Sequence, residues 1–220
     1  MSGSDNKLPS SELDLVRRIL ALARTGLHFS GPQYRSDENR EFERERYDEI
    51  VQLASQWLAN HSNAPIGELL ASWTADDGYV TPKVDVRGAV FRENRVLLVR
   101  ERSDGKWTLP GGWGDVNETP QQGVEKEIQQ ESGFTAKAIK LAAVYDRRTR
   151  NVPPSIFYIW KLFFICELTG GEPRVSNETD AVDFFPLDSL PPLSTGRVVQ
   201  WQIERMYAHH RNPSLPTEFE

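Results

Sequence analysis

The spacing of hydrophobic residues changes near residue 80. Before that point they recur every three or four positions, the period of an α-helix that packs on one side. This pattern predicts a helix from Ser11 to Leu27 and a longer one from Ser36 to Asn60, which is charged in its first half and apolar in its second. A short third helix is predicted from about Ile66 to Trp73. Residues 1–80 are therefore expected to form a small all-α N-terminal domain.

After residue 82 the alternation has a period of two, which indicates strands. Val84, Val86, Gly88 and Val90 face one way, and Asp85, Arg87, Ala89 and Phe91 face the other. Glu93-Asn94 is predicted to turn the chain so that 96–99 returns as a buried strand, which makes a hairpin.

The rest of the chain mixes strands with two helices. Further strands are predicted at 138–145, 156–168 and 181–185, and a closing helix from Ser194 to His209. Strands combined with two helices imply a mixed sheet that is covered on both faces, an α/β/α sandwich. Residues 81–220 are therefore expected to form one α/β domain.

One helix between these strands has clear end signals. Thr119 is suited to the N-cap, Pro120 to the first helical position and Gln122 to the closing position of a capping box. Gly133 is well placed as the C-terminal cap. Glu127 and Glu131, four residues apart, then stand on one helix face.

Two carboxylates at this spacing repel each other unless a cation lies between them. Oxygen ligands on a short helix suit a hard ion such as Mg²⁺ or Mn²⁺, which also binds substrate phosphates. The preceding loop, residues 109–114, has three glycines, so its backbone can approach a ligand closely. An ordinary acidic surface helix behind a glycine-rich turn is the alternative interpretation.

The spacing of residues 112–134 resembles the Nudix box. It matches G-x5-E-x7-(R/K)-E-U-x-(E/Q)-E-x-G-U, in which U is an aliphatic or aromatic residue. Lys126 and Gln130 depart from the arginine and glutamate of the family. The resemblance implies a Nudix-type α/β/α sandwich and a hydrolase that cleaves nucleoside diphosphates linked to another moiety.

Three segments that flank the box indicate which subgroup of the Nudix family the chain resembles. They are residues 81–88, residues 104–113 and residues 190–194. Together they are similar to a Nudix subgroup with a small helical domain before the Nudix domain. This subgroup includes bacterial CDP-choline pyrophosphatase and ADP-ribose pyrophosphatases, so a CDP-choline-like or ADP-ribose-like substrate is implied.

The resemblance also assigns roles to individual residues. It implies that the Gly111 carbonyl and the side chains of Glu127, Gln130 and Glu131 are metal ligands. Glu118 and Lys126 match a structural ion pair that holds the loop against the helix. A lysine holds such a pair less rigidly than the two-pronged guanidinium of arginine.

Catalysis by such an enzyme needs a group that orders or deprotonates water. Glu127, Glu131 and Glu178 are the candidates; Glu178 lies in a later acidic turn with Asp180 and is equally explained as a solvated turn residue. Arg87 is a candidate for binding substrate phosphate, and an ion pair with a neighbouring carboxylate explains it equally well. Four aromatic residues are candidates for base stacking or for the core: Trp107, Trp113, Tyr158 and Trp160.

Charge argues against nucleic acid as a partner. The formal net charge is −6, and residues 1–80 hold eight Lys and Arg against thirteen Asp and Glu. Three amphipathic helices of this length form a marginal core by themselves, so a role in packing or in a homodimer is favoured. No run of apolar residues is long enough for a membrane span, no signal peptide is recognisable, and Cys166 is the single cysteine. A cytoplasmic enzyme is expected.

Two functions from different classes fit the sequence. The first is metal-dependent hydrolysis of a pyrophosphate bond, for which both glutamates of the helix face are present. The alternative is a non-catalytic Nudix-like sensor that binds a nucleotide sugar and signals through its helical domain. The altered box, which departs from the family at Lys126 and Gln130, favours this alternative.

Overall fold

The computed structural model describes residues 10–32, 40–61, 67, 70, 79–148, 152 and 157–220. The chain divides into two compact units, Met1–Thr81 and Pro82–Glu220. None of the described helices has the length and apolar character needed to cross a membrane.

The first unit contains two helices packed together. They are α1 (Ser10–Phe29) and α2 (Arg40–His61). Leu20 and Ala23 are buried on α1, and Leu58 is fully buried on α2, as the period of three to four predicts. The beginning predicted for the second helix and almost all of the predicted third helix lie outside the described residues.

The second unit is built on a seven-stranded mixed sheet. Its strands are β1 (Lys83–Arg92), β2 (Arg95–Glu101), β3 (Trp107–Thr108), β4 (Phe134–Asp146), β5 (Ile159–Gly171), β6 (Thr179–Pro186) and β7 (Glu218–Phe219). The order is β3-β2-β1-β5-β4-β7, and β6 pairs with β2. The neighbours β1–β5 and β4–β7 are parallel, and the other pairs are antiparallel.

Two helices cover the sheet, α3 (Pro120–Ser132) and α4 (Gln200–Arg211). Val86 and Val90 of β1 pack in one cluster with residues of α3, whereas Ala89 packs in a second cluster with residues of α4. Alternate residues of β1 thus supply both cores, which confirms the predicted α/β/α sandwich.

The predicted hairpin is confirmed by the register of its strands. Arg92 pairs with Arg95, so Glu93 and Asn94 form a two-residue turn. Both have positive φ, 52° and 62°, the conformation of the turn type that follows the right-handed twist of two strands.

The closing helix begins later than predicted, at Gln200 instead of Ser194. The Ser194 hydroxyl donates to Asp104 Oδ2 at 2.7 Å, and the Ser194 carbonyl accepts from the backbone of Arg197 and Val198. Residues 195–197 therefore form a turn that hydrophobic spacing alone does not reveal, because the Ser194 hydroxyl bonds to Asp104, which is distant in sequence.

Candidate active site

The helix α3 is fixed at both ends. The Thr119 side chain accepts from the backbone of Gln122, whose side chain accepts in turn from the backbone of Thr119. Gly133 ends the helix in the left-handed conformation, with φ 77°. The predicted capping box and C-cap are confirmed, and these two ends set the position of every side chain between them.

The glycine-rich loop is hydrogen bonded to β1. Val86 N–H donates to the Gly112 carbonyl at 2.8 Å, and Gly88 N–H donates to the Pro110 carbonyl at 2.9 Å. Gly111, between them, has φ 145°, and a Cβ there would lie 2.0 Å from the Val86 carbonyl oxygen. Only glycine fits this position, which lets the loop backbone lie directly on the strand.

Both helix glutamates reach this loop. Gly111 N–H donates to Glu131 Oε2 at 2.9 Å, and Glu127 Oε1 would lie 2.9 Å from a Cβ on Gly112. Burial raises the pKa of Glu131 to about 8, with a contribution from Glu127 and Glu101. Burial also raises the pKa of Glu127. Two carboxylates that are hard to ionise without a cation therefore face the same loop.

A cleft of about 620 Å³ opens at this point. Eighteen residues line it: Asp85, Arg87, Glu101, Gly111, Gly112, Trp113, Asp115, Lys126, Glu127, Gln130, Glu131, Arg147, Phe157, Ile159, Lys161, Glu178, Gly196 and Arg197. The cleft thus brings together parts of α3, the glycine-rich loop, three strands and the later loop residues 147, 157, 178, 196 and 197.

The pair predicted to hold loop and helix together is present. Lys126 Nζ lies 2.8 Å from Glu118 Oε2 and 2.7 Å from Asp115 Oδ2. These two acceptors raise the pKa of Lys126. The lysine thus contacts two loop carboxylates, where one was expected.

Gln130 and Glu178 are exposed side chains at the cleft. Glu178 belongs to the predicted acidic turn, and its charge contributes to the raised pKa values of Glu127 and Glu101. Asp180 does not line the cleft; it pairs instead with Arg100 at 2.6 Å, which lowers the pKa of Asp180.

Arg87 forms the ion pair that was one of its two predicted roles. Its Nε and Nη2 each donate to Asp85 at 2.8 Å, and its Nη1 donates to the Leu109 carbonyl at 3.1 Å. Although burial opposes its charge, Asp85 raises the pKa of Arg87. The guanidinium is buried in the cleft wall and fixed in orientation.

The aromatic candidates separate by position. Trp107 packs against Phe185 in the core. Trp113 is 50% exposed and lines the cleft, so it is the member of the set that can contact a ligand there. Trp160, also 50% exposed, does not line the cleft.

Sequence reasoning missed several charged groups of the cleft, among them Glu101 and Lys161. Glu101, at the end of β2, is 5% exposed and pairs with Arg197 at 3.1 Å; burial raises its pKa. Lys161 is 2% exposed and lies 3.2 Å from Asp85. A charged residue at an inward position of the predicted strand 156–168 is the signal that could have identified Lys161. Glu101 lies beyond the predicted strand 96–99, so no such signal marked it.

The oxygen donors of the cleft suit a hard metal ion whose remaining coordination positions are filled by substrate and water. Within the described part of the chain, no three His, Cys, Asp or Glu side chains are grouped closely enough to hold a metal ion by themselves. Glu127 and Glu131 supply carboxylate oxygen atoms next to the backbone of Gly111 and Gly112 and the amide side chain of Gln130. Mg²⁺ and Mn²⁺ accept such incomplete protein sets because they keep waters and bind phosphate oxygens.

A family model for the NUDIX domain matches residues 81–206, more than half of the chain. The chain belongs to the Nudix family. A second model, described as a UDP-X-like, N-terminal oligomerisation domain, matches residues 11–72. Nudix hydrolases generally need a divalent metal ion, which agrees with the acidic face of α3.

Two similar proteins cover nearly the whole chain, and a third covers about two thirds of it. The putative ADP-ribose pyrophosphatase YjhB of Bacillus subtilis is 39% identical over 214 residues, 97% of this chain and 99% of that protein. The crystal structure of a UDP-X diphosphatase has a TM-score of 0.60 at 29% identity and covers 97% of this chain and all of its own. An ADP-ribose pyrophosphatase structure from Streptococcus suis has a TM-score of 0.59 at 38% identity, over 64% of this chain and all of its own.

Proposed function

We propose that this protein hydrolyses the pyrophosphate bond of a nucleoside diphosphate linked to another moiety, with Mg²⁺ or Mn²⁺ as cofactor. The observation that carries the proposal is the meeting of Glu127 and Glu131 with the Gly111–Gly112 backbone in a cleft of about 620 Å³. Such a volume is in the usual range for small-molecule sites.

The substrate class rests on the relatives. Two of them bear the name ADP-ribose pyrophosphatase and a third the name UDP-X diphosphatase. Their names share a nucleoside diphosphate joined to a second group. We therefore propose an ADP-ribose-like, CDP-choline-like or UDP-linked compound as substrate, and Trp113 as the side chain that contacts its base.

Glu127, Glu131, Gln130 and the Gly111 carbonyl would hold the metal ion, which supplies charge neutralisation at the diphosphate and at the leaving oxygen. Glu127 and Glu131 are unfavourable as bare anions, because burial raises both of their pKa values. A bound cation removes that cost, so the site favours the loaded state.

Glu178 is proposed to order or deprotonate the attacking water. Its carboxylate is exposed at the cleft and forms no ion pair with any described residue, so it remains available to accept a proton. The water oxygen attacks a phosphorus atom, its proton passes to Glu178, and the bond from phosphorus to the bridging oxygen breaks. The two products are phosphate monoesters.

We also propose that the N-terminal unit forms a homodimer. On α1, Leu15, Ile19 and Leu22 are 61%, 40% and 54% exposed. They follow each other at steps of four and three, so they lie on one face of the helix, while Leu20 and Ala23 pack inside the unit. The description of the matching domain model as an oligomerisation domain agrees with this. A cytoplasmic location stays a prediction from the sequence.

The proposal is tested with purified protein, Mg²⁺ or Mn²⁺, and a panel of nucleoside diphosphate-linked compounds. Products are detected as phosphate that becomes labile to added phosphatase. Glu127→Gln and Glu131→Gln are expected to lower kcat/KM on the best substrate by about 10²- to 10⁴-fold, without loss of fold by circular dichroism. Glu172→Gln, an exposed glutamate outside the cleft, is the matched control.

Two results would contradict these assignments. If Glu127→Gln and Glu131→Gln both hydrolysed the substrate at the wild-type rate, neither glutamate would have a role in the site. Binding of a panel compound without any turnover, with either metal ion, would favour the non-catalytic sensor.

A further inference from the structure

Asp85 lies in the middle of a row of residues that crosses the sheet. On one side its register partner is Lys161, in the parallel pair of β1 with β5, and on the other side it forms an isolated bridge with Trp113 of the glycine-rich loop. Residues paired in this way in neighbouring strands direct their side chains to the same face. All three residues line the cleft, and the function proposed above assigns no role to Asp85.

The Asp85 carboxylate holds two cations. Arg87, two residues further along β1 and therefore on the same face, donates from Nε to Asp85 Oδ1 and from Nη2 to Oδ2, each at 2.8 Å. The ammonium of Lys161 lies 3.2 Å from Asp85 Oδ1, and all three side chains are buried. Although burial raises it, Arg87 and Lys161 hold the pKa of Asp85 below its usual value, so the carboxylate stays charged.

The guanidinium of Arg87 is also held from a second direction. Its Nη1 donates to the Leu109 carbonyl at 3.1 Å, at the start of the glycine-rich loop. A guanidinium has five N–H donors, and within the described part of the chain three of those of Arg87 are bonded to protein. An ammonium has three donors, and the described residues give Lys161 one contact, with Asp85. Both groups therefore keep donors for a ligand of the cleft.

Arg87 also lies beside a residue that is a candidate metal ligand. Gly111 N–H donates to Glu131 Oε2 at 2.9 Å, and a Cβ on Gly111 would lie 2.9 Å from the Cα of Arg87. Burial raises the pKa of Glu131, and the charge of Arg87 opposes that rise, so the two charged groups act on each other. A diphosphate that shares a metal ion with Glu131 would therefore lie next to the Arg87 guanidinium.

We propose that Asp85 is a positioning residue, which holds Arg87 and Lys161 in the orientation in which their remaining donors bind the phosphoryl oxygens of the diphosphate. Donors that are ordered before the ligand arrives lose less conformational entropy on binding. Asp85 itself touches no substrate atom and acts through the two cations. The proposal rests on the proposed function for the natural ligand, but the orientation of the cations does not depend on hydrolysis.

Asp85→Asn distinguishes positioning from a simple effect of net charge, because the two predict opposite signs. The change removes a negative charge from the cleft, so by charge alone an anion should bind more tightly. An amide has one acceptor oxygen where the carboxylate has two, so it cannot accept from both Nε and Nη2 of Arg87, and positioning predicts weaker binding. Isothermal titration calorimetry of full-length protein with inorganic pyrophosphate and a chelator measures the sign. We expect wild-type protein to bind pyrophosphate, and Asp85→Asn to bind it about tenfold more weakly.

A cycle of two variants tests whether Asp85 acts through Arg87. Arg87→Met should also weaken pyrophosphate binding, and the double variant should lose less affinity than the two single losses combined, because both changes remove the same fixed guanidinium. In the hydrolysis assay, Asp85→Asn should raise KM more than it lowers kcat, since the glutamates of α3 are unchanged. Asp183→Asn, the same change at an exposed position of β6 outside the cleft, should behave as wild type.

A second measurement needs no variant of Asp85. In ligand-free wild-type protein, NMR of the arginine Nε–H groups should show a slowly exchanging signal for Arg87, assigned by its loss in Arg87→Lys. The Nε–H of Arg95, an exposed residue of β2, should exchange fast with water. A slow signal in the absence of ligand is what a guanidinium ordered in advance requires.

Positioning by Asp85 is wrong if wild type does not bind pyrophosphate without metal, or if Asp85→Asn binds it as tightly as wild type or more tightly. It is also wrong if the two losses of the cycle are additive in free energy, or if the Nε–H of Arg87 exchanges as fast as that of Arg95. If Asp85→Asn does not fold by circular dichroism, the NMR measurement decides.

These outcomes are separate from those of the hydrolase proposal. Hydrolysis of a panel compound by wild type, with the same KM in Asp85→Asn, would leave a hydrolase in which Asp85 positions nothing. Weaker pyrophosphate binding by Asp85→Asn, without hydrolysis of any panel compound by wild type, would leave the positioning residue without the proposed reaction.

Discussion

Gln130 is a residue at which the acidic face of α3 departs from the Nudix pattern. It occupies the place of a carboxylate in the Nudix pattern, and its exposed side chain lines the cleft. An amide oxygen is a neutral and weaker ligand than a carboxylate for a hard cation. The site therefore holds less negative charge than the family pattern supplies, and its demand for metal ion should be high.

Gln130→Glu is expected to lower the half-saturating metal concentration for turnover by about tenfold, which corresponds to ~1.4 kcal/mol for one added charge contact. The free energy of unfolding should change little, since glutamine and glutamate have similar helix propensities. Without metal it should fall slightly, because the added carboxylate repels Glu127 and Glu131. Titration of Mg²⁺ and Mn²⁺ on one substrate measures this.

Gln129→Glu is the control for this titration, because it adds the same charge at the adjacent exposed position of α3, which does not line the cleft. Metal titration curves that superimpose for wild type and Gln130→Glu would leave Gln130 without a role in the site.

At the scale of elements, the sequence was most informative where local chemistry decides the structure. The capping box of α3, its glycine cap and the Glu93-Asn94 turn all depend on neighbours within a few residues, so they could be predicted. The turn at Ser194 could not, because its partner Asp104 is distant in sequence. Lys161 was missed for the same reason: its environment depends on a parallel pairing of β1 with β5.

The short strand β7 is held by one carboxylate. Glu218 accepts from Tyr145 Oη at 2.5 Å, from Arg205 Nε at 2.9 Å and from His209 Nε2 at 3.1 Å. Although burial opposes this, the contacts with Arg205 and Tyr145 lower the pKa of Glu218 to about 2. The end of the chain thereby joins β4 to α4.

Glu218→Gln is expected to lower the free energy of unfolding by about 2 kcal/mol at neutral pH, as charged hydrogen bonds are lost. The folded-state pKa lies below the ordinary value of 4.5, so this stabilisation is complete above that pH and is lost as the pH falls towards 2. Urea unfolding from pH 7.5 to pH 3 should show the two proteins converging in acid.

The control is Glu167→Gln, at an exposed position of β5, whose unfolding curves should follow wild type throughout. A constant difference between wild type and Glu218→Gln at all pH values would show that the carboxylate charge is not what holds β7.

At the scale of the whole molecule, we propose different tasks for the two units. The charges and the cleft belong to residues 82–220, whereas the exposed apolar side chains of α1 and Leu53 of α2, 64% exposed, belong to the first unit. An apolar stripe of this kind marks a protein interface. The acidic balance of residues 1–80 argues against a DNA-binding role for the first unit.

Light scattering at micromolar concentration is expected to give about twice the chain mass of 25.1 kDa. Leu22→Glu should shift the protein towards the monomer, because a buried charge at an apolar interface costs several kcal/mol. Val116→Glu, at an 88% exposed position of the second unit, should leave the mass unchanged. A monomeric wild type would contradict the homodimer.

The central pair of the sheet has a consequence for how the protein is made. Lys83 pairs with Ile159, and Val90 with Cys166, so β1 leaves the ribosome long before its neighbour exists. Non-local parallel pairing forms slowly, and an unpaired strand edge is open to wrong partners until it is closed. A nascent chain that ends before Ile159 already contains the whole of α3, yet it lacks the residues that complete the lining of the cleft: Ile159, Lys161, Glu178, Gly196 and Arg197.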